Sequence, residues 1–200
     1  MTKPAVNSLI SHNFNLDIIS LDASSAAFPT YALIQQSFMH DLAREGDLLT
    51  AEAIYDAGGQ VDIPNELGRR PLHEAAFFGH IDLVKFFLDH GADIDAPVQP
   101  LGHTALYLAV QQGHLAIARY LVLRGAKTDA RDEILGIGLL HICAARGDTL
   151  MAGMLIAAGI NVFRPDKKGL TARDMAARHG HMELSRTLLK VMEHHVKYVQ

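Results

Sequence analysis

The glycines of this chain fall on a period. Gly46, Gly79, Gly113, Gly147 and Gly180 are separated by 33, 34, 34 and 33 residues, and Gly58, Gly91, Gly125 and Gly159 by 33, 34 and 34. Two series in one register mean that one supersecondary unit recurs. A chain of that kind buries its apolar faces between stacked neighbours instead of round one central core. Four segments carry the same pattern: Leu67 to His80, Leu101 to His114, Leu135 to Asp148 and Lys168 to His181.

Each unit reads as helix, turn, helix and extended hairpin. Pro71 suits a first helical turn, where its missing N–H costs nothing, and Thr104 and Thr171 can cap the first helix by accepting a bond from an orphan N–H. The pattern predicts a first helix over Pro71 to Phe78 and a second over Ile81 to His90. Leu83, Val84, Phe87 and Leu88 recur on the second at helical spacing. The first helices offer a small inner face: Ala75 and Ala76, Ala109 and Val110, Cys143 and Ala144, Ala176 and Ala177. Arg70 and Gly138 stand where the other units have a capping threonine. Tyr107 and Asp174 stand where two units have His73 and His141. These substitutions predict interfaces that are weaker or differently bonded, and Gly136 with Gly138 predicts a looser third hairpin.

On these residues, and most fully over Gly68 to Ala96, the chain resembles the ankyrin repeat family from about Phe38 to Leu189. The resemblance implies an all-α ankyrin-repeat solenoid of helix-turn-helix units joined by short β-hairpin loops. Five units at about 34–66, 67–100, 101–133, 134–166 and 167–199 would make one domain over 33–200. The first and last depart from the Thr-Pro-Leu-His box, as capping units do. Residues 1–32 precede the pattern. Phe14, Leu16 and Ile18 alternate with polar residues, which suits a short extended segment. That extension either docks on the first unit or stays a flexible tail, and its apolar residues favour docking.

Composition narrows the function. Of 200 residues 49% are hydrophobic and 20% charged, with a net charge of −4, a soluble globular balance that argues against nucleic acid or an anionic membrane as partner. No apolar run is long enough to span a bilayer, and none of signal-peptide length follows Lys3, so the expected setting is cytoplasmic or otherwise intracellular. A single cysteine, Cys143, excludes an intramolecular disulfide and a Cys-based zinc site. Among 12 histidines, His73 and His141 hold the box position, and His80, His114 and His181 follow the turn glycine. The rest, His12, His40, His90, His103, His179, His194 and His195, hold neither of these recurring positions and lack ligand spacing. No nucleophile elbow, phosphate loop or zinc-protease motif occurs. The expectation is no catalytic residue, no metal and no cofactor. Asp93, Asp95, Asp129 and Asp132 read as solvated turn residues.

The resemblance also implies a concave protein-binding surface made of hairpin tips and the exposed ends of first helices. By position that surface takes Phe77, Phe78, Gln111, Gln112, Arg146, Arg178 and His179 from helices, and Arg69, His103 and Ile137 from hairpins. Adjacent residues on a helix diverge by about 100°, so at least one of Phe77 and Phe78 must face outward. Leu67, Leu101 and Leu135 recur in register, which suggests a contact between fingers, and Ile134 and Ile137 add apolar surface beside Leu135. The late end is basic (Arg146, Lys167, Lys168, Arg178, His179), which suits a partner with an apolar segment followed by acidic residues. The implied function is non-catalytic protein–protein interaction, as adaptor, scaffold or inhibitor, by a monomer. The alternatives are a host-directed bacterial effector or inhibitor acting on one enzyme, and a metal-dependent enzyme built on the histidine-rich surface.

Overall fold

The computed structural model of the chain describes residues 38–198. The expectations for residues 1–32 lie outside it. Ten α-helices occur among the described residues: α1 at 38–45, α2 Leu48–Asp56, α3 Pro71–Phe78, α4 Ile81–Asp89, α5 Ala105–Gln112, α6 Leu115–Leu123, α7 Leu139–Arg146, α8 Thr149–Ala157, α9 Ala172–Arg178 and α10 Met182–Tyr198. They fall into two compact halves that meet in sequence at Asp93 and Ile94.

In the N-terminal half, α3 packs on α4, and α4 on α2. Pro71 opens α3 as the sequence predicts. Gly79 closes it at φ +91°, a conformation that is costly for any residue with a Cβ. The core is Met39, Leu42, Ala51, Ile54, Leu72, Ala75, Ala76, Leu83, Val84 and Phe87, all essentially inaccessible. Burying each of the larger side chains contributes roughly 2 kcal/mol.

In the C-terminal half the pairs α5–α6, α7–α8 and α9–α10 stack so that α7 touches α5 and α9, and α6 touches α8. Thr104 Oγ accepts from Tyr107 N–H at 3.2 Å, and Thr171 Oγ from Asp174 N–H at 3.4 Å. Leu106, Ala109, Ile117, Leu121, Leu139, Cys143, Ala144, Met151, Leu155, Ala176 and Leu188 fill the interior. Burial pushes the Cys143 thiol up to about 12, with Asp148 adding to it, so it acts as a small hydrophobe. Ala177 departs from expectation: it is exposed, because no described helix packs beyond the α9–α10 pair.

The hairpins are slighter than expected. Among the described residues there are no strands, only isolated bridges Val98–His103 and Arg131–Gly138. The tight loops are held instead by side chains. Asn65 Oδ1 accepts from the N–H groups of Leu67 and Arg69, Asp132 Oδ1 from Ile134 and Leu135, and Asp166 Oδ1 from Lys168 and Leu170, at 2.6–3.0 Å. Gly136 does not loosen its loop. Its N–H reaches Asp132 O at 2.8 Å, and at φ +73° a Cβ there would sit 3.0 Å from Lys167 N.

Candidate functional site

The first-helix ends and loop tips carry two recurring bonds that fix their geometry. One starts from the box position. His141 accepts from Gly138 N–H at Nδ1 (3.3 Å) and donates from Nε2 to Leu170 O (2.9 Å), 29 residues on. The two bonds together require the neutral Nε2–H tautomer. His40 Nε2 donates likewise to Arg69 O at 2.8 Å, also 29 residues on, and is buried. His40 therefore occupies the box position of the first unit, a position the sequence reading left unassigned. The signal was present, since 73 minus the period of 33 is 40. The repeat box hid it, because no Thr-Pro-Leu precedes it.

The second bond runs backwards. His80 Nε2 donates to Arg44 O at 2.8 Å, with its ring lying on Gly46, where a Cβ would sit 2.6 Å from Nδ1. His181 does the same to Ala145 O at 3.2 Å, above Gly147. In the unit at 134–166, the residue after the turn glycine is Asp148, which instead caps α8 by accepting from Met151 N–H at 2.9 Å. The missing staple comes from Arg146. Its Nη1 donates to Gln111 O at 2.8 Å, and its guanidinium covers Gly113. Sequence reasoning put Arg146 in the binding row. The structure gives it a bond between helices α7 and α5 as well.

Where histidine is replaced, other bonds form. Tyr107 stacks on His103, with ring centroids 4.1 Å apart and planes at 10°. His103 Nε2 lies 3.1 Å from Asp132 Oδ2. Burial, then the Asp132 charge, pushes the Tyr107 phenol up to about 12. Burial would raise the Asp132 carboxyl, but N–H donors from Leu135 and Ile134 together with His103 outweigh it and hold it below its usual range. Asp132 is thus a buried, bonded turn residue, which corrects its reading as solvated. Asp174 accepts from Thr171 Oγ–H (2.7 Å) and Thr171 N–H (3.0 Å), bonds that lower its carboxyl.

The predicted site residues divide between the halves. In the N-terminal half, Phe78 is 47% exposed and Phe77 half-buried, and their rings meet edge to face at 5.1 Å. The Arg69 guanidinium lies over Phe77 at 5.1 Å. Glu74, only 1% exposed, forms ion pairs with Arg69 Nε and Arg44 Nε, each at 3.4 Å, while its Oε1 makes no hydrogen bond. Sequence reasoning missed Glu74, because one buried carboxylate in an apolar helix has no period to reveal it. In the C-terminal half, Gln111, Gln112, Arg146, Arg178 and His179 are exposed, and His103 and Ile137 half-buried. The structure joins Arg146 to Gln111, and His103 to Asp132. His179 caps α9, its Nδ1 donating to Met175 O at 3.0 Å. No group of three or more His, Cys, Asp or Glu that could hold a metal occurs among the described residues, and no described helix is long and apolar enough to cross a membrane.

A family model described as ankyrin repeats (3 copies) matches residues 39–132, and one described as ankyrin repeats (many copies) matches residues 140–189. The chain belongs to the ankyrin repeat family. It is 29% identical over 85 residues to a Fowlpox virus (strain NVSL) protein named as an ankyrin repeat protein, across 42% of this chain and 21% of that one. It is 42% identical over 48 residues to the cyclin-dependent kinase 4 inhibitor B of Bos taurus, across 24% of this chain and 37% of the inhibitor. The chain therefore spans between a fifth and two-fifths of these relatives. Ankyrin repeats generally mediate protein–protein interaction, and the family is typically non-catalytic. The all-α fold and the stacked helix pairs described above are those of an ankyrin-repeat solenoid.

Proposed function

We propose that this ankyrin repeat protein is a non-catalytic recognition module whose anchor for a protein partner is the Phe77–Phe78 pair. The observation that supports this reading is an exposed aromatic backed by a chain of contacts. Phe78 leans on Phe77, Phe77 lies under Arg69, and Arg69 forms an ion pair with the buried Glu74 carboxylate. Aromatic and arginine side chains that are already ordered lose little entropy on association and dominate binding energies where they become desolvated. Arg178, His179, Gln112 and the other exposed candidates of the C-terminal half then contribute a second contact.

A narrower reading, inhibition of a partner enzyme, is favoured by the 42% identical stretch shared with a kinase inhibitor. Affinity capture from lysate of the source cells, with wild type beside Phe77→Ala/Phe78→Ala, tests the module. A protein retained by wild type and lost from the variant, at equal helical circular dichroism, supports the anchor. Equal retention by both removes it. An activity of the captured protein that falls when the wild-type chain is added selects the inhibitor reading over adaptor or scaffold.

A further inference from the structure

Two neighbouring loop tips in the C-terminal half form a second surface. The tip at 133–136 exposes Ile134 (57%) and Leu135 (48%). The tip at 166–169 exposes Lys167 and Lys168. The tips are bonded to each other: Lys167 N–H donates to Leu135 O at 3.0 Å, and Lys167 Nζ to Glu133 O at 2.5 Å. The aliphatic pair and the lysine pair are therefore side by side on one rigid edge.

The nearby acids are mostly engaged by the loops, with Asp166 also interacting with Lys168. Asp132 and Asp166 are buried, each with a carboxylate oxygen accepting two loop N–H bonds. The side chain of Glu133 lies against Gly102, where a Cβ would meet its Cγ at 2.6 Å. The wider setting has the same sign. Residues 94–200 hold thirteen lysines and arginines against nine acids, in a chain whose net charge is −4.

We propose that this edge docks an acidic protein segment, one in which aspartate or glutamate stands within a turn of a large aliphatic or aromatic side chain. The apolar residue covers Ile134 and Leu135, and the carboxylate meets Lys167 and Lys168. Aliphatic tips offer bases no stacking platform, and the overall charge of −4 does not favour an extended polyanion. A protein segment therefore fits better than nucleic acid. The surface stands apart from the Phe77–Phe78 reading and does not depend on it.

The test is selection of a phage-displayed library of random dodecapeptides on the full chain, followed by binding measurements with the enriched peptides. The expected result is enrichment of peptides pairing acidic with apolar residues. Their affinity falls at least tenfold with Ile134→Ser/Leu135→Ser, falls similarly with Lys167→Glu/Lys168→Glu, and is unchanged with Phe77→Ala/Phe78→Ala. Lys168→Glu alone leaves the Lys167 Nζ bond intact, so a loss there reports charge and not a disturbed loop. Enrichment without acids, binding that survives both tip variants, displacement by a single-stranded oligonucleotide, or no enrichment over the bare surface each overturns the proposal. Loss only with Phe77→Ala/Phe78→Ala overturns it too, while supporting the aromatic anchor.

Discussion

At the scale of single residues, the fold rests on pairs made by one glycine and the side chain that covers it. Arg146 over Gly113 is the informative case, because it does with arginine what His80 and His181 do with histidine. Arg146→Ala should lower stability by about 1 kcal/mol, the worth of a partly exposed charge-assisted hydrogen bond. Adding Asp148→His should recover part of that loss, so that the pair is non-additive in a double-mutant cycle read by urea unfolding. Two glycines two residues apart make a second contrast. Gly138 is an extended N-cap at φ −93°, and a Cβ there meets nothing closer than 3.6 Å. Gly138→Thr should therefore stabilise by about 1 kcal/mol, from a new cap and reduced chain entropy. Gly136→Ala should destabilise by more than that, because it combines positive φ with a Lys167 backbone contact at 3.0 Å. Thermal melts of the two variants check both signs. Residues like Gly79 and His141 were legible because they recur. Arg146, Glu74 and the Asp132–His103 pair were not, because each is a local answer to a departure from the period.

At the scale of elements, the helices were legible and the loops were not. The predicted first helix matches α3 at both ends, since Pro71 and Gly79 are backbone signals that need no tertiary help. The second helix stops at Asp89, one residue short of the expected His90. The hairpins were read from alternation and family likeness, but the loops are closed by Asn65, Asp132 and Asp166 accepting N–H bonds, with isolated bridges in place of strands. The Leu67, Leu101 and Leu135 register does mark contact between fingers in the C-terminal half, though through backbone. Leu101 O accepts from Glu133 N–H and Leu135 O from Lys167 N–H, while the Leu135 side chain stays exposed. Asp132→Asn tests the loop lock. The ionised carboxylate is the form the fold favours, so its contribution is complete above pH about 4 and lost as pH falls through the lowered native value. The melting temperature of the variant should fall below wild type at pH 7, and the gap should narrow as pH drops below about 4 and through the lowered native value.

At the scale of the whole molecule, the two halves differ in charge and in their response to acid. Asp132, Asp166 and Asp174, all held below their usual range, lie in the C-terminal half. In the N-terminal half Asp62 is raised, chiefly by burial that its bonds to Asp93 N–H and Arg70 do not offset. Acidification below pH about 4 withdraws stability from the first set and relieves a cost at the second. Hydrogen exchange read by peptide mass spectrometry should show protection over 139–178 falling before protection over 71–89 as pH drops from 5 to about 3. Simultaneous loss in both would show that these carboxylates do not govern acid unfolding. The backward staple has a last consequence, for how such a chain can be lengthened or rearranged. Each staple belongs to one repeat and its glycine to the repeat before, so the heritable module is not the segment between two glycines but the joint that straddles them. Duplicating a histidine-bearing repeat copies a working joint into every position. The repeat with Asp148 travels with its own fastener, and a repeat inserted before it must bring a bare glycine wide enough to take an arginine.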